Sequence, residues 1–120
     1  MADNDITQPI AFELVLKPYE EGVAILAQNF VNALTACYVV GNADTEQLAT
    51  SSSLQQMVFA QFHSDVPIGK IAMDLVAAGI DFLEDQELTL CVLGCPIEVM
   101  RASIKGLGKS IIDNEKELRP

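Results

Sequence analysis

The stretch Glu87-Leu88-Thr89-Leu90-Cys91-Val92-Leu93-Gly94 decides the fold class. Read as a strand, Leu88, Leu90 and Val92 alternate with Thr89, Cys91 and Leu93. Read as a helix, residues 82–93 show no clean apolar face. A strand needs partners, and the one other candidate is the segment 10–16. The chain offers no Asn-Gly or Asp-Gly hairpin turn and only seven glycines in all, which argues against a sheet. The expectation is therefore an all-α, compact single-domain bundle of about five helices. A small α+β fold with strands near 10–16 and 87–93 is the alternative.

Both sides of this stretch carry stronger helical signals. Upstream, Pro18–Val40 reads as a helix with Pro18 in its first turn and Glu20 and Glu21 at the positive end of its dipole. Glu21, Gln28, Asn32 and Thr35 form a narrow polar ribbon, and Val23, Leu26, Ala27, Phe30, Val31, Leu34, Cys37 and Tyr38 surround it. That pattern predicts a central helix, ended by a left-handed Gly41. Residues 66–78 read as a helix capped by Asp65, with Pro67 in the first turn and Gly79 as its stop. Asp81 and Glu84 have capping-box spacing for a further start. Between 42 and 64, Asp44 with Gln47 and Ser53 with Gln56 have the same spacing, and Leu54, Met57, Val58 and Phe62 fit one helical face. Downstream, Pro96 opens a helix in which Ile97, Met100, Ile104, Leu107 and Ile111 recur at steps of three and four. Gly106 and Gly108 would each cost this helix about 1 kcal/mol relative to alanine, unless another backbone comes close at Gly108.

Composition bounds the function. The 120 residues include 38 Leu, Ile, Val and Phe, enough to form a core and too many for a disordered chain. Residues 1–8 read as a flexible acidic tail and 9–120 as a single helical domain. The net charge of −10 has the wrong sign for non-specific binding to nucleic acid or to an anionic membrane. Gln28, Asn29 and Asn32 interrupt the longest apolar run, so no membrane span is expected. Three cysteines do not make a disulfide framework, and the N-terminus lacks a basic signal region, so the expected compartment is the cytoplasm.

No motif assembles a catalytic centre. Gly106-Leu107-Gly108-Lys109-Ser110 ends like a phosphate loop, but the position that needs the leading glycine is Ser103. Cys91, Cys95 and His63 reach the four ligands of a zinc site only if Cys37 joins, and Cys37 reads as a buried helix residue; nothing ties His63 to a cysteine as a nucleophilic pair. Asp81, Glu84, Asp85 and Glu87 form an acidic patch without the glycine and alternation of a calcium loop. The expectation is no enzyme, no cofactor and no metal.

Charge distribution is more informative. Residues 1–100 carry 14 acidic and 2 basic groups, whereas 101–120 carry 3 acidic and 5 basic. Arg101, Lys105 and Lys109 step by four beside the Ile97, Met100, Ile104, Leu107 and Ile111 stripe. Balance within the chain accounts for such a row, and so does self-association, with the row and stripe as interface. In bulk properties alone the chain resembles small secretion-type chaperones and the small acidic inhibitor or adaptor proteins of phages and bacteria. No motif carries that resemblance. The function expected is a small acidic interaction module, a homodimer, acting on another protein with a basic surface. The alternative is a small-ligand binder or enzyme with a site between helices, using Gln28, Asn32, His63 and the carboxylates between 81 and 87. A weaker one is mimicry of nucleic acid.

Overall fold

A computed structural model describes the backbone of residues 2–41 and 65–118 and the side chains of 18–41 and 65–116. The protein is all-α. Helix α1 runs Ala2–Val40, α2 Ile68–Asp85, α3 Glu87–Leu93, α4 Ile97–Asp113, and a single turn, α5, closes the series at Glu115–Leu118.

Both segments proposed as strands are helical: 10–16 lies within α1, and 87–93 is α3. The physical reason for α3 is its ending. Gly94 adopts φ +78°, its N–H donates to Cys91 O at 3.1 Å, and the Cys95 N–H donates to Leu90 O at 2.9 Å. This pair of bonds is the Schellman closure of a helix, and Leu90 and Cys95, the two residues it brings together, are both buried.

Helix α1 begins at Ala2 rather than Pro18, so residues 2–8, read as a tail, continue the helix, and Pro9 and Pro18 both lie inside it. Its C-terminus is as expected, with Gly41 at φ +82°. Its place is not. Val23, Leu26, Ala27, Phe30, Val31 and Leu34 are buried along one side, while Ile25, Gln28, Asn29, Asn32 and Val39 face outward. The central helix is α2, which packs along both α1 and α4, whereas α1 and α4 barely touch. Two small buried residues of α2, Ala72 and Gly79, lie on the side that α4 approaches closely. Gly79 is therefore not a stop, and Asp81 is not a start. The helix passes through both, and a Cβ built at Gly79 would lie 3.1 Å from Ile104 Cγ2. Pro67 occupies the N-cap position, its carbonyl accepting from the Lys70 and Ile71 N–H groups.

Helix α4 follows its predicted stripe. Met100, Ile104, Leu107 and Ile111 are fully buried with α2 residues Ile71, Ala72, Leu75 and Leu83 in one core, and Ile97 packs against its edge. A second backbone does approach at Gly108: a Cβ there would sit 2.5 Å from Val76 Cγ2 and 3.5 Å from Ala72 O. Val76 faces Gly108 and Gly79 faces Ile104, so the two helices run antiparallel. The possible helix starts at Asp44 and Ser53, the Leu54, Met57, Val58 and Phe62 face, and His63 lie outside the described residues.

Candidate apolar groove

Close approach at Gly108 leaves a furrow on the outer side of the α2–α4 pair. Ala72, Met73, Val76 and Ala77 of α2 form one wall and Gly108 and Ile112 of α4 the other, around a volume of about 450 Å³. Met73 is 72% exposed and Ile112 47%, although both are large and apolar. Lys105 and Lys109, four apart on α4, supply the polar rim. Among the described residues neither lysine makes an ion pair.

The basic row expected from sequence divides into two roles. Arg101 turns inward to its own chain, donating to Glu98 at 2.9 Å and standing 3.7 Å from Glu84, so it ties α4 to the end of α2. Lys105 and Lys109 remain on the surface beside the groove. The predicted interface stripe needs correction for a similar reason. Ile97, Met100, Ile104, Leu107 and Ile111 are spent on the chain's own core, and the apolar groups left for a neighbour lie beside them, at Met73 and Ile112. A period of 3.5 shows that a face is covered but not by what. The close approach at Gly108 is legible in the sequence, but not the residues it meets, Val76 and Ala72 of α2.

A second apolar surface is α3. Leu90 anchors it, while Leu88 and Val92, four apart on one face, are each 81% exposed, and Leu93 is 48% exposed. The acidic patch precedes this ridge in the chain, and Asp81, Glu84, Asp85 and Glu87 are all exposed. Three of the four sit in the last turns of α2, at the negative end of its dipole, where carboxylates are destabilising by a few tenths of a kcal/mol each.

The polar residues of the small-ligand reading do not converge. Gln28 and Asn32 stand on the exposed side of α1, and the carboxylates face solvent at the α2–α3 corner. No three His, Cys, Asp or Glu side chains gather as a metal set among the described residues. Cys91 is exposed, Cys95 buried and Cys37 half-buried, and all three are free thiols.

One polar cluster joins α1 to α2. Tyr19 Oη donates to Asp74 Oδ2 at 3.3 Å, Lys70 Nζ donates to the same oxygen at 2.7 Å, and the ammonium lies 5.4 Å from the Tyr19 ring centroid. Burial, then the Asp74 charge and its hydrogen bond, push the Tyr19 phenol up to about 12. A phenol held protonated in this way is no base or nucleophile at neutral pH. The cluster works as a tether, and its exposed Lys70–Asp74 pair contributes less than about 1 kcal/mol.

By length and composition, Pro18–Val40 is long and apolar enough to cross a membrane, contrary to the sequence expectation, because Gln28, Asn29 and Asn32 carry no charge. A core helix and a signal sequence meet the same measure, and 33% of its most apolar window is buried inside the fold.

These features define an all-α chain with an apolar, lysine-rimmed groove. Comparison with protein-family models, curated proteins and solved structures finds no match.

Proposed function

We propose that this chain is a small, acidic, non-enzymatic protein-interaction module of the adaptor, chaperone or inhibitor type, a homodimer that binds a larger protein bearing a basic surface. The observation that carries the reading is the groove between α2 and α4. Its walls are apolar, while the buried side of the same two helices already forms the core. Apolar area left in water forgoes about 25 cal/mol per Å² of stabilisation, so covering these walls is favourable, and that supports a partner at the groove. The net charge of −10 speeds encounter with a larger protein's basic surface, while the lysine rim of the groove itself suits an acidic segment.

Light scattering on the purified protein tests this. The expected particle has twice the 13.0 kDa chain mass, and Met73→Glu, which puts a charge into the groove, shifts it toward the monomer without loss of helical circular dichroism. A 13.0 kDa species at micromolar concentration that also retains no basic protein would remove the reading.

A further inference from the structure

We propose that the groove of each copy receives the α3 ridge of a second copy, reciprocally, around a two-fold axis. The inference rests on the homodimer reading above and adds which surfaces meet. Charge complementarity argues for it. The groove is rimmed by Lys105 and Lys109, while the ridge of Leu88 and Val92 stands beside Asp85 and Glu87 in a stretch, 71–100, with no lysine or arginine. Periodicity argues for it as well. The two lysines are four residues apart on α4, the two ridge side chains four apart on α3, and Met73 and Ala77 four apart on α2, so each row repeats at about 6 Å.

Position excludes the intramolecular contact. In the antiparallel α2–α4 pair the groove occupies the end formed by residues 72–77 and 105–112, and α3 joins the two helices at the opposite end. From Val76 to Asp85 the rise along α2 alone is about 14 Å. A ridge and a groove at opposite ends of one hairpin are both satisfied when a second hairpin lies antiparallel to it. Two identical contacts then close the dimer and leave no open end for a filament.

A charge-swap experiment on the full chain tests the pairing by sedimentation equilibrium. Lys105→Glu with Lys109→Glu, and separately Asp85→Lys with Glu87→Lys, should each weaken self-association roughly a hundredfold, because each brings like charges together at both contacts. Mixed in equal amounts, the two variants should form a heterodimer within about tenfold of wild-type affinity, since the swaps restore opposite charges at both contacts. Lys116→Glu, a charge reversal at an exposed lysine outside the groove lining, should leave the constant unchanged. A second measurement does not depend on reversing charges. Ala77→Cys in a Cys37→Ser background should cross-link to Cys91 of the other copy through a short bismaleimide. Self-association left unchanged in both swap variants, or an Ala77→Cys, Cys37→Ser chain that joins only Cys91 to Cys91, overturns this pairing and leaves the interaction-module reading standing. A wild-type monomer overturns the dimer and the pairing together.

Discussion

Replacing Ile71 by alanine will lower the free energy of unfolding by about 2–5 kcal/mol, the range for deleting a buried aliphatic side chain that its surroundings cannot fill. Ile71 is 0% exposed and lies on α2, the helix with a neighbour on either side. The cavity would open where collapse from one side pulls against contacts on the other. Small domains have only about 5–15 kcal/mol in total, so the variant should unfold at much lower denaturant and approach a loss of cooperativity. Val40→Ala, at a site 79% exposed, should change stability by no more than about 0.5 kcal/mol. Urea titration followed by circular dichroism reads both. If the Ile71 variant fell within about 1 kcal/mol of wild type, well below that range, α2 would not be the central element.

Gly106→Ala and Gly108→Ala, the same substitution two residues apart on one helix, will have opposite signs. A Cβ at Gly106 meets nothing within 4 Å, so alanine there gains up to about 1 kcal/mol of helix propensity. A Cβ at Gly108 would lie 2.5 Å from Val76 Cγ2. Valine is stiff about χ1, so the side chain cannot swing aside cheaply, and α2 and α4 must separate. Overpacking of this kind costs about 1–3 kcal/mol, which outweighs the propensity gain. The double-mutant cycle isolates the cause. In a Val76→Ala background the obstructing methyl is gone, and Gly108→Ala should become neutral or stabilising. Equal effects of Gly108→Ala in both backgrounds would mean that the two helices do not approach at this point.

The helical character of the chain was legible because its periodicities are strong. The steps of three and four from Ile97 to Ile111 mark the buried face of α4, and Gly41 marks the end of α1. Neither statement depends on what lies opposite. The rest of the fold does depend on it. Helix α1 looked central because so much of its circumference is apolar, yet Ile25, Val39 and Val40 remain exposed. Helix α2 has the central place because it packs along both α1 and α4, and the spacing of Ile68, Ile71, Leu75 and Leu83 marks a buried face without telling how many neighbours share it. Gly79 shows the same limit. A glycine after an apolar helix is a stop signal in isolation, but here it makes room for Ile104. In α3, seven residues cannot distinguish period 2 from 3.6, and the decisive signal was Gly94 with Pro96 two residues beyond.

The candidate site was partly legible. Lys105 and Lys109 were identified as one surface row, and the carboxylates between 81 and 87 as a patch. The apolar stripe assigned to the interface is the core instead, because sequence shows that a face must be covered and not whether the cover belongs to the same chain. Met73, Val76, Ala77 and Ile112 carry no sequence signal, since isolated apolar residues outside a stripe are common on protein surfaces.

The central claim is that another polypeptide covers the outer side of the α2–α4 pair in solution. Methionine oxidation by dilute peroxide, located by mass spectrometry across a series of protein concentrations, reads this directly. Met73 is 72% exposed in the single chain and Met100 is 0% exposed, an internal standard that stays slow throughout. The account predicts that Met73 oxidises quickly in dilute protein and becomes progressively protected as concentration rises through the association range. Met73 oxidising at one fast rate over the whole series, with no protein partner able to slow it, would contradict the claim.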